Sequence, residues 1–159
     1  DYIVQEACPK LQYIACQRNG WDSLPGVIPF GCSLGATHAL NLYLRHPDLF
    51  DGCLALSGIY TASYGFDGYM DDVVYRNSPV DYMANFPTDH PFMDYYRSKK
   101  AVVCCGQGDW EMPATTWRMK EIFEQKGIPV WVDLWGTDVC HDWPWWYKQV
   151  IYYLPHLLG

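Results

Sequence analysis

Short apolar runs alternate with longer amphipathic stretches along most of this chain. Continuous apolar runs bounded by turn residues are typical of buried strands, whereas apolar positions three and four residues apart indicate helices. The pattern predicts strands over 27–30, 50–56, 101–105 and 130–135, and helices over 2–17, 34–45, 115–125 and 144–158. Strands that alternate with helices form parallel sheets covered on both faces. The sequence therefore predicts an α/β fold in a single domain over 1–159.

Composition and charge narrow the classes of function. Hydrophobic residues make up 50% of the 159 residues, which is enough for a substantial core. The net charge is −7 and the basic residues are dispersed, so neither nucleic acid nor a membrane surface is an expected partner. No apolar run approaches the roughly 20 residues that span a bilayer.

Seven cysteines without a Cys-x-x-Cys pair predict reduced thiols in a cytoplasmic protein, with a disulfide between two of them as the alternative.

Residues with catalytic chemistry follow three of the predicted strands. Ser33 comes directly after the first strand, Asp109 and Glu111 follow the third, and His141 follows the fourth. The carboxyl ends of parallel strands meet at one edge of a sheet, where α/β proteins place their sites. We therefore expect these side chains to converge on one nucleophilic site.

Ser33 lies in the segment Gly31-Cys32-Ser33-Leu34-Gly35, between a strand and an apolar helix. A serine hydroxyl attacks only when a base takes its proton, so the chain must project it from a sharp turn. The crowded backbone of such a turn needs small residues, a role predicted for Gly31 and Gly35. The N–H of Leu34, at the start of the helix, is predicted to stabilise an oxyanion.

His141 is the predicted base, whereas the acid is open between two residues. Asp109 and Glu111 both follow the third strand, and either carboxylate can reach an imidazole and fix its tautomer.

Among the other histidines, His38 lies on the helix after Ser33 and is predicted to be packed. No spacing of residues matches a metal site, and no cofactor is expected.

Five segments of the chain carry a resemblance to a known family, namely 31–39, 45–52, 55–60, 106–111 and 141–146. They resemble the Putative esterase family, which groups with esterase D (S-formylglutathione hydrolase) and the mycolyltransferases. The resemblance extends over essentially the whole chain and is strongest at the serine turn and at the His-Asp-Trp-Pro-Trp-Trp segment. It implies an α/β-hydrolase fold with Ser33 as nucleophile and His141 as base, in the chain order serine, acid, histidine.

The same resemblance bears on the acid. Relatives of this type often have a small residue where Asp109 stands, followed by Trp-Glu, and this favours Glu111. The broader pattern of the fold, Gly-x-x-Asp after this strand, favours Asp109 instead.

Members of the family also carry an N-terminal portion with the first strands and the loop that donates a second oxyanion N–H. That portion is not recognisable here, so we expect the N-terminal strands of the sheet to be missing from this chain. Loss of one oxyanion donor costs on the order of 10²–10³ in turnover. A longer polypeptide, or a partner segment in a homo-oligomer, is expected to complete the sheet.

Residues 59–98 are rich in Tyr, Asp, Asn and Pro and lie where this fold inserts pocket-forming loops. Tyr60 and Tyr64 are candidates for the wall of a substrate pocket, with packing over the sheet as the alternative.

The sequence thus predicts a serine hydrolase that cleaves small-molecule carboxylic esters or thioesters through an acyl-enzyme. An acyltransferase of the same fold is an alternative, because the choice between water and an alcohol depends on the acceptor that the pocket excludes. A non-catalytic, hydrolase-like binding domain is a second alternative, favoured by the missing N-terminal portion. A cysteine nucleophile at Cys32 or Cys140 has no positional support.

Overall fold

A four-stranded parallel sheet forms the centre of the protein. The computed structural model describes residues 2–159. Its strands are β1 (Phe30–Cys32), β2 (Gly52–Leu56), β3 (Lys100–Cys105) and β4 (Trp131–Leu134). They lie in the order β1-β2-β3-β4, and all three pairings are parallel. All four strands therefore end at the same edge of the sheet, and the residues that follow them lie there.

Helices connect the strands. A π-helical turn, Ile3–Ala7, continues directly into the first helix. The helices are α1 (Cys8–Asn19), α2 (Leu34–Arg45), α3 (Ser63–Phe66), α4 (Asp72–Tyr75), α5 (Pro79–Ala84), α6 (Phe92–Ser98), α7 (Pro113–Lys126) and α8 (Trp143–Leu158). Among residues 2–159, no helix is long and apolar enough to cross a membrane.

Two hydrophobic cores cover the two faces of the sheet. Successive side chains of a strand point to opposite faces. On β2, Cys53 and Ala55 belong to the core that contains the apolar residues of α2 and α7. Leu54 and Leu56 belong to the other core, which α8 closes. Both faces of β2 are therefore buried, as the continuous apolar pattern predicts.

Most elements lie within one or two residues of the predicted bounds, whereas β1 and the first helix begin later than predicted. Strand β1 begins at Phe30 rather than at position 27, although the carbonyl of Pro29 accepts a hydrogen bond from Leu54 N–H. Pro29 has no N–H to return that bond, so the regular ladder starts after it. Near the N-terminus, α1 begins at Cys8 rather than at position 2, and Pro9 lies in its first turn, where the lack of an N–H is tolerated.

Most of the cysteines pack as small apolar residues. Cys53, Cys104 and Cys105 are buried in the cores, and Cys32 is half-buried at the end of β1. Burial raises the pKa of the Cys32 thiol to about 11, so this thiol is protonated near neutral pH. A protonated thiol is a poor nucleophile, and this argues against Cys32 as the reactive group.

Candidate active site

Ser33 occupies a strained turn between β1 and α2. Its φ of 56° lies in the left-handed region, which residues other than glycine seldom adopt. The turn is held from both sides, since Ser33 N–H donates to Leu56 O at 2.9 Å and Ala36 N–H donates to Ser33 O at 2.9 Å. The surrounding structure therefore imposes this conformation on the serine.

Gly31 is the small residue that this turn requires. A Cβ on Gly31 would lie 2.2 Å from the carbonyl carbon of Gly35, which leaves no room for any side chain. A Cβ on Gly35 itself would meet no atom within 4 Å. The expectation that both glycines relieve crowding is thus wrong for Gly35, because the start of α2 approaches β1 with its backbone and leaves the Cβ position of Gly35 in open space.

Ser33, His141 and Glu111 form a continuous hydrogen-bonded chain. The Oγ of Ser33 lies 2.9 Å from Nε2 of His141, and Nδ1 of His141 lies 3.2 Å from Oε2 of Glu111. The Glu111 side chain is 1% exposed, whereas that of His141 is 23% exposed. A buried carboxylate therefore holds one side of the imidazole, and the other side faces the serine hydroxyl.

The Glu111 carboxylate is supported by donors on both oxygens. Its Oε1 accepts from Ser57 Oγ at 2.7 Å and from Gly106 N–H at 3.2 Å. Its Oε2 accepts from Cys105 Sγ at 3.4 Å, in addition to the imidazole. Burying a charged carboxylate is costly unless it is hydrogen-bonded, and these partners offset that cost.

Ser57 is a site residue that the sequence reasoning missed. It follows β2, is 2% exposed and adopts a φ of 56°. Its hydroxyl donates to Glu111 and accepts from Trp146 Nε1 at 3.0 Å, so Ser57 holds the Glu111 carboxylate and the Trp146 indole in place. The Trp146 ring also packs edge-on against His141, with centroids 5.0 Å apart. The sequence signal for this residue is a serine that precedes a glycine and follows a strand directly, at the same edge of the sheet as Ser33.

Asp109 lies close to the site, but its carboxylate does not enter it. Within residues 2–159, no hydrogen bond or ion pair involves the Asp109 side chain, and the residue is exposed. Its backbone carbonyl accepts from His141 N–H at 3.0 Å, which fixes the loop that carries the histidine. Of the two candidate acids, the structure therefore brings Glu111 and not Asp109 to the imidazole.

A cavity of about 570 Å³ opens beside Ser33, lined by Leu34 and by the segment after β2. Tyr64 lines this cavity, as expected. Tyr60 does not, because it is fully buried in the core, where its ring fills the space beside Gly58. The expectation that Tyr60 forms part of the pocket wall is therefore wrong.

His38 and Leu34 both belong to the cavity side of α2. Leu34 is the first residue of the helix, where a backbone N–H has no partner within the helix. His38 is exposed and lines the cavity, so the expectation that it is packed is wrong. One helical turn separates the two residues, and they therefore share the face of α2 that the cavity meets.

A family model matches most of the chain. The model described as "Putative esterase" matches residues 18–157, which contain Ser33, Glu111 and His141. The chain belongs to the Putative esterase family. None of the curated proteins matches it in sequence.

Solved structures similar to this member of the Putative esterase family have the α/β-hydrolase fold. A ferulic acid esterase is 22% identical, with a TM-score of 0.71, over 98% of this chain and 58% of that protein. An S-formylglutathione hydrolase from Staphylococcus aureus is 15% identical, with a TM-score of 0.62, over 92% of this chain and 57% of that protein. One from Agrobacterium tumefaciens is 17% identical, with a TM-score of 0.61, over 99% of this chain and 57% of that protein. The chain thus spans somewhat more than half the length of these structures.

Proposed function

We propose that this protein hydrolyses carboxylic esters, with Ser33 as nucleophile, His141 as general base and Glu111 as the acid that orients the base. The observation that carries the proposal is the chain of two hydrogen bonds, of 2.9 Å and 3.2 Å, that links the three side chains. Membership of an esterase family supports the same reaction class. The strained backbone of Ser33 supports its role as nucleophile, because such strain is concentrated at functional sites.

In the first half of the reaction the ester acylates Ser33. Oγ attacks the carbonyl carbon while its proton passes to His141 Nε2, and the carbonyl oxygen becomes an oxyanion. Glu111 accepts a hydrogen bond from Nδ1–H, which keeps Nε2 unprotonated before attack and stabilises the imidazolium afterwards. The tetrahedral intermediate then collapses, and the alcohol leaves with the proton from Nε2.

In the second half, water releases the acid. His141 removes a proton from a water molecule, whose oxygen attacks the acyl carbon, and a second tetrahedral intermediate expels Ser33 Oγ with the same proton. The N–H of Leu34 is the oxyanion donor that this chain supplies, because it lies directly after the nucleophile at the positive end of α2.

The proposal is tested by ester hydrolysis with the full-length gene product. A chromogenic ester such as p-nitrophenyl butyrate is expected to be cleaved, and Ser33→Ala is expected to lower kcat by about 10⁴-fold or more. The exposed loop residue Ser23 provides a matched control, since Ser23→Ala should leave kcat unchanged. An active Ser33→Ala variant, or a folded wild-type protein that cleaves no ester, would refute the proposal.

A further inference from the structure

The cavity beside Ser33 has the features of a binding site for one part of the substrate. The residues that line it indicate the charge, polarity and length of that part. We infer that it receives the acyl group of the ester, and that this group is uncharged, apolar and about four to eight carbons long. This inference rests on the proposed function, because it takes Ser33 as the nucleophile.

The position of His141 assigns the cavity to the acyl group rather than to the alcohol. The leaving alcohol must take its proton from Nε2 of His141 and therefore departs on the side of the imidazole. Ser33 and Leu34 line the cavity, whereas His141 is not among the described residues that do so. A group that extends from the reacting carbonyl into this cavity thus runs away from the imidazole.

The walls of the cavity select an uncharged group. The apolar side chains that line it include Ile59, Ala62, Phe66, Val73 and Val74. Of the described residues that line it, none is an Asp, Glu, Lys or Arg. A carboxylate or ammonium group placed here would lose part of its hydration and would meet no ammonium, guanidinium or carboxylate partner among the described lining residues.

The polar side chains in the wall are largely engaged with the protein itself. Thr37 Oγ1 donates to Ile59 O at 2.8 Å, and Asn77 Nδ2 donates to Val73 O at 2.8 Å. Asn41 donates to Asn77 O at 3.1 Å and accepts from the Tyr82 hydroxyl at 2.9 Å. Since these amides and the hydroxyl are already paired, they offer little to a polar ligand.

The length of the group follows from the helix that forms one wall. Leu34, Thr37, His38 and Asn41 share one face of α2, and all line the cavity. A helix rises about 1.5 Å per residue, so His38 lies about 6 Å and Asn41 about 10 Å along the axis from Leu34. An extended acyl chain of roughly four to eight carbons covers that distance.

His38 lies part-way along this path, and Asn41 lies at its far end. His38, Asn41 and Asn77 also line a second cavity of about 240 Å³, whose walls include Arg45 and His46. These three residues therefore separate the apolar cavity from a more polar one. Within the described part of the chain, His38 is the one of the three whose side chain makes no hydrogen bond. Its removal should join the two cavities and extend the path for an acyl chain.

The inference is tested with p-nitrophenyl esters of acetate, butyrate, hexanoate, octanoate and dodecanoate. We expect kcat/KM to rise about four-fold for each buried methylene and to peak between butyrate and octanoate. A charged partner of equal length, the monoanionic adipoyl ester, should be cleaved at least about 10-fold more slowly than the hexanoyl ester. His38→Ala should raise the ratio of dodecanoate to hexanoate kcat/KM by about 10-fold.

His156 supplies the matched control, because it is an exposed histidine on α8 that does not line the cavity. His156→Ala should keep the wild-type profile of chain lengths. A profile that is flat or highest for acetate, a preference for the adipoyl ester, or an unchanged ratio in His38→Ala would overturn the inference. Those results would leave ester hydrolysis by Ser33 intact, whereas failure to cleave any of these esters would count against the proposed function itself.

Discussion

Two neighbouring strands are each followed by a serine with a positive φ, and the two serines have different roles. Ser33 follows β1 and Ser57 follows β2, and both serines adopt a φ of 56°. The Ser33 hydroxyl faces His141 and the cavity, whereas the Ser57 hydroxyl is enclosed between Glu111 and Trp146. Two serines with the same φ thus differ in what surrounds their hydroxyls.

A serine with a positive φ becomes a nucleophile only where its hydroxyl contacts a base and faces open space. Ser33 has both, since Nε2 of His141 lies 2.9 Å away and the cavity opens beside it. Ser57 is 2% exposed and donates to a carboxylate, so no substrate carbonyl can reach its Oγ. On this account Ser57 acts through Glu111 and is a positioning residue.

The sharpest way to separate the two turns is to replace each serine by glycine, which tolerates a positive φ. Ser33→Gly is expected to lower kcat by about 10⁴-fold or more while relieving about 1 kcal/mol of backbone strain. Kinetics with p-nitrophenyl butyrate and a thermal melt measure the two effects together. A variant that loses stability along with activity would show that the serine side chain supports the turn.

The two candidate acids provide the next largest effect. Glu111→Gln is expected to lower kcat by about 10²–10⁴-fold with little change in KM, because the imidazole loses the carboxylate that orients it. Asp109→Asn is the matched control and should change kcat by less than about two-fold, since its contact with His141 is through the backbone. The reverse ranking, with Asp109→Asn the more damaging, would assign the acid to Asp109.

The glycines beside Ser33 test why its turn is rigid. Gly31→Ala should lower the free energy of unfolding by about 3 kcal/mol, because the new Cβ overlaps the backbone at the start of α2. Gly35→Ala meets open space and should change stability by no more than about 0.5 kcal/mol. Chemical denaturation of both variants measures the contrast, and equal losses would mean that the turn does not depend on close approach at Gly31.

The smallest expected effect comes from the second turn. Ser57→Gly should lower kcat about 10-fold with KM unchanged, because Glu111 loses a donor and shifts relative to His141. Ser57→Ala removes the same hydroxyl and should give the same loss of kcat, although it keeps the backbone strain. Ser57→Cys, which retains a weak donor, should recover part of the rate. If Ser57→Gly were fully active and only Ser57→Ala impaired, the role of Ser57 would be that of a backbone conformation.

Much of the sheet and the position of Ser33 could be predicted from the sequence. Helix α2 has the predicted bounds, because its apolar pattern is long and its ends are marked by Ser33 and His46. The pattern predicts β1 from position 27, whereas the strand begins at Phe30, since Pro29 accepts a hydrogen bond through its carbonyl but has no N–H to complete a ladder. Hydrophobic periodicity indicates which residues are buried, but it does not indicate which backbone N–H and C=O groups form hydrogen bonds.

The details of the site depend on contacts between distant parts of the chain. Asp109 and Glu111 are two residues apart, and they differ because Trp110 between them adopts a φ of 64° and Glu111 turns inward to Ser57. Ser57 lies 54 residues from Glu111, so no local motif reveals the pair. Tyr60 faces the core because Gly58 leaves room for its ring, a packing relation that the spacing of aromatic residues does not encode.

Activation of the Ser33 hydroxyl can be measured directly by mapping where a fluorophosphonate attaches to the full-length protein. Such a probe phosphonylates a serine whose hydroxyl is activated by a neighbouring base. We predict one adduct, found by mass spectrometry on the peptide that contains Ser33, and no adduct in Ser33→Ala. An adduct on Ser57, an adduct that persists in Ser33→Ala, or a folded protein that remains unlabelled would contradict this prediction.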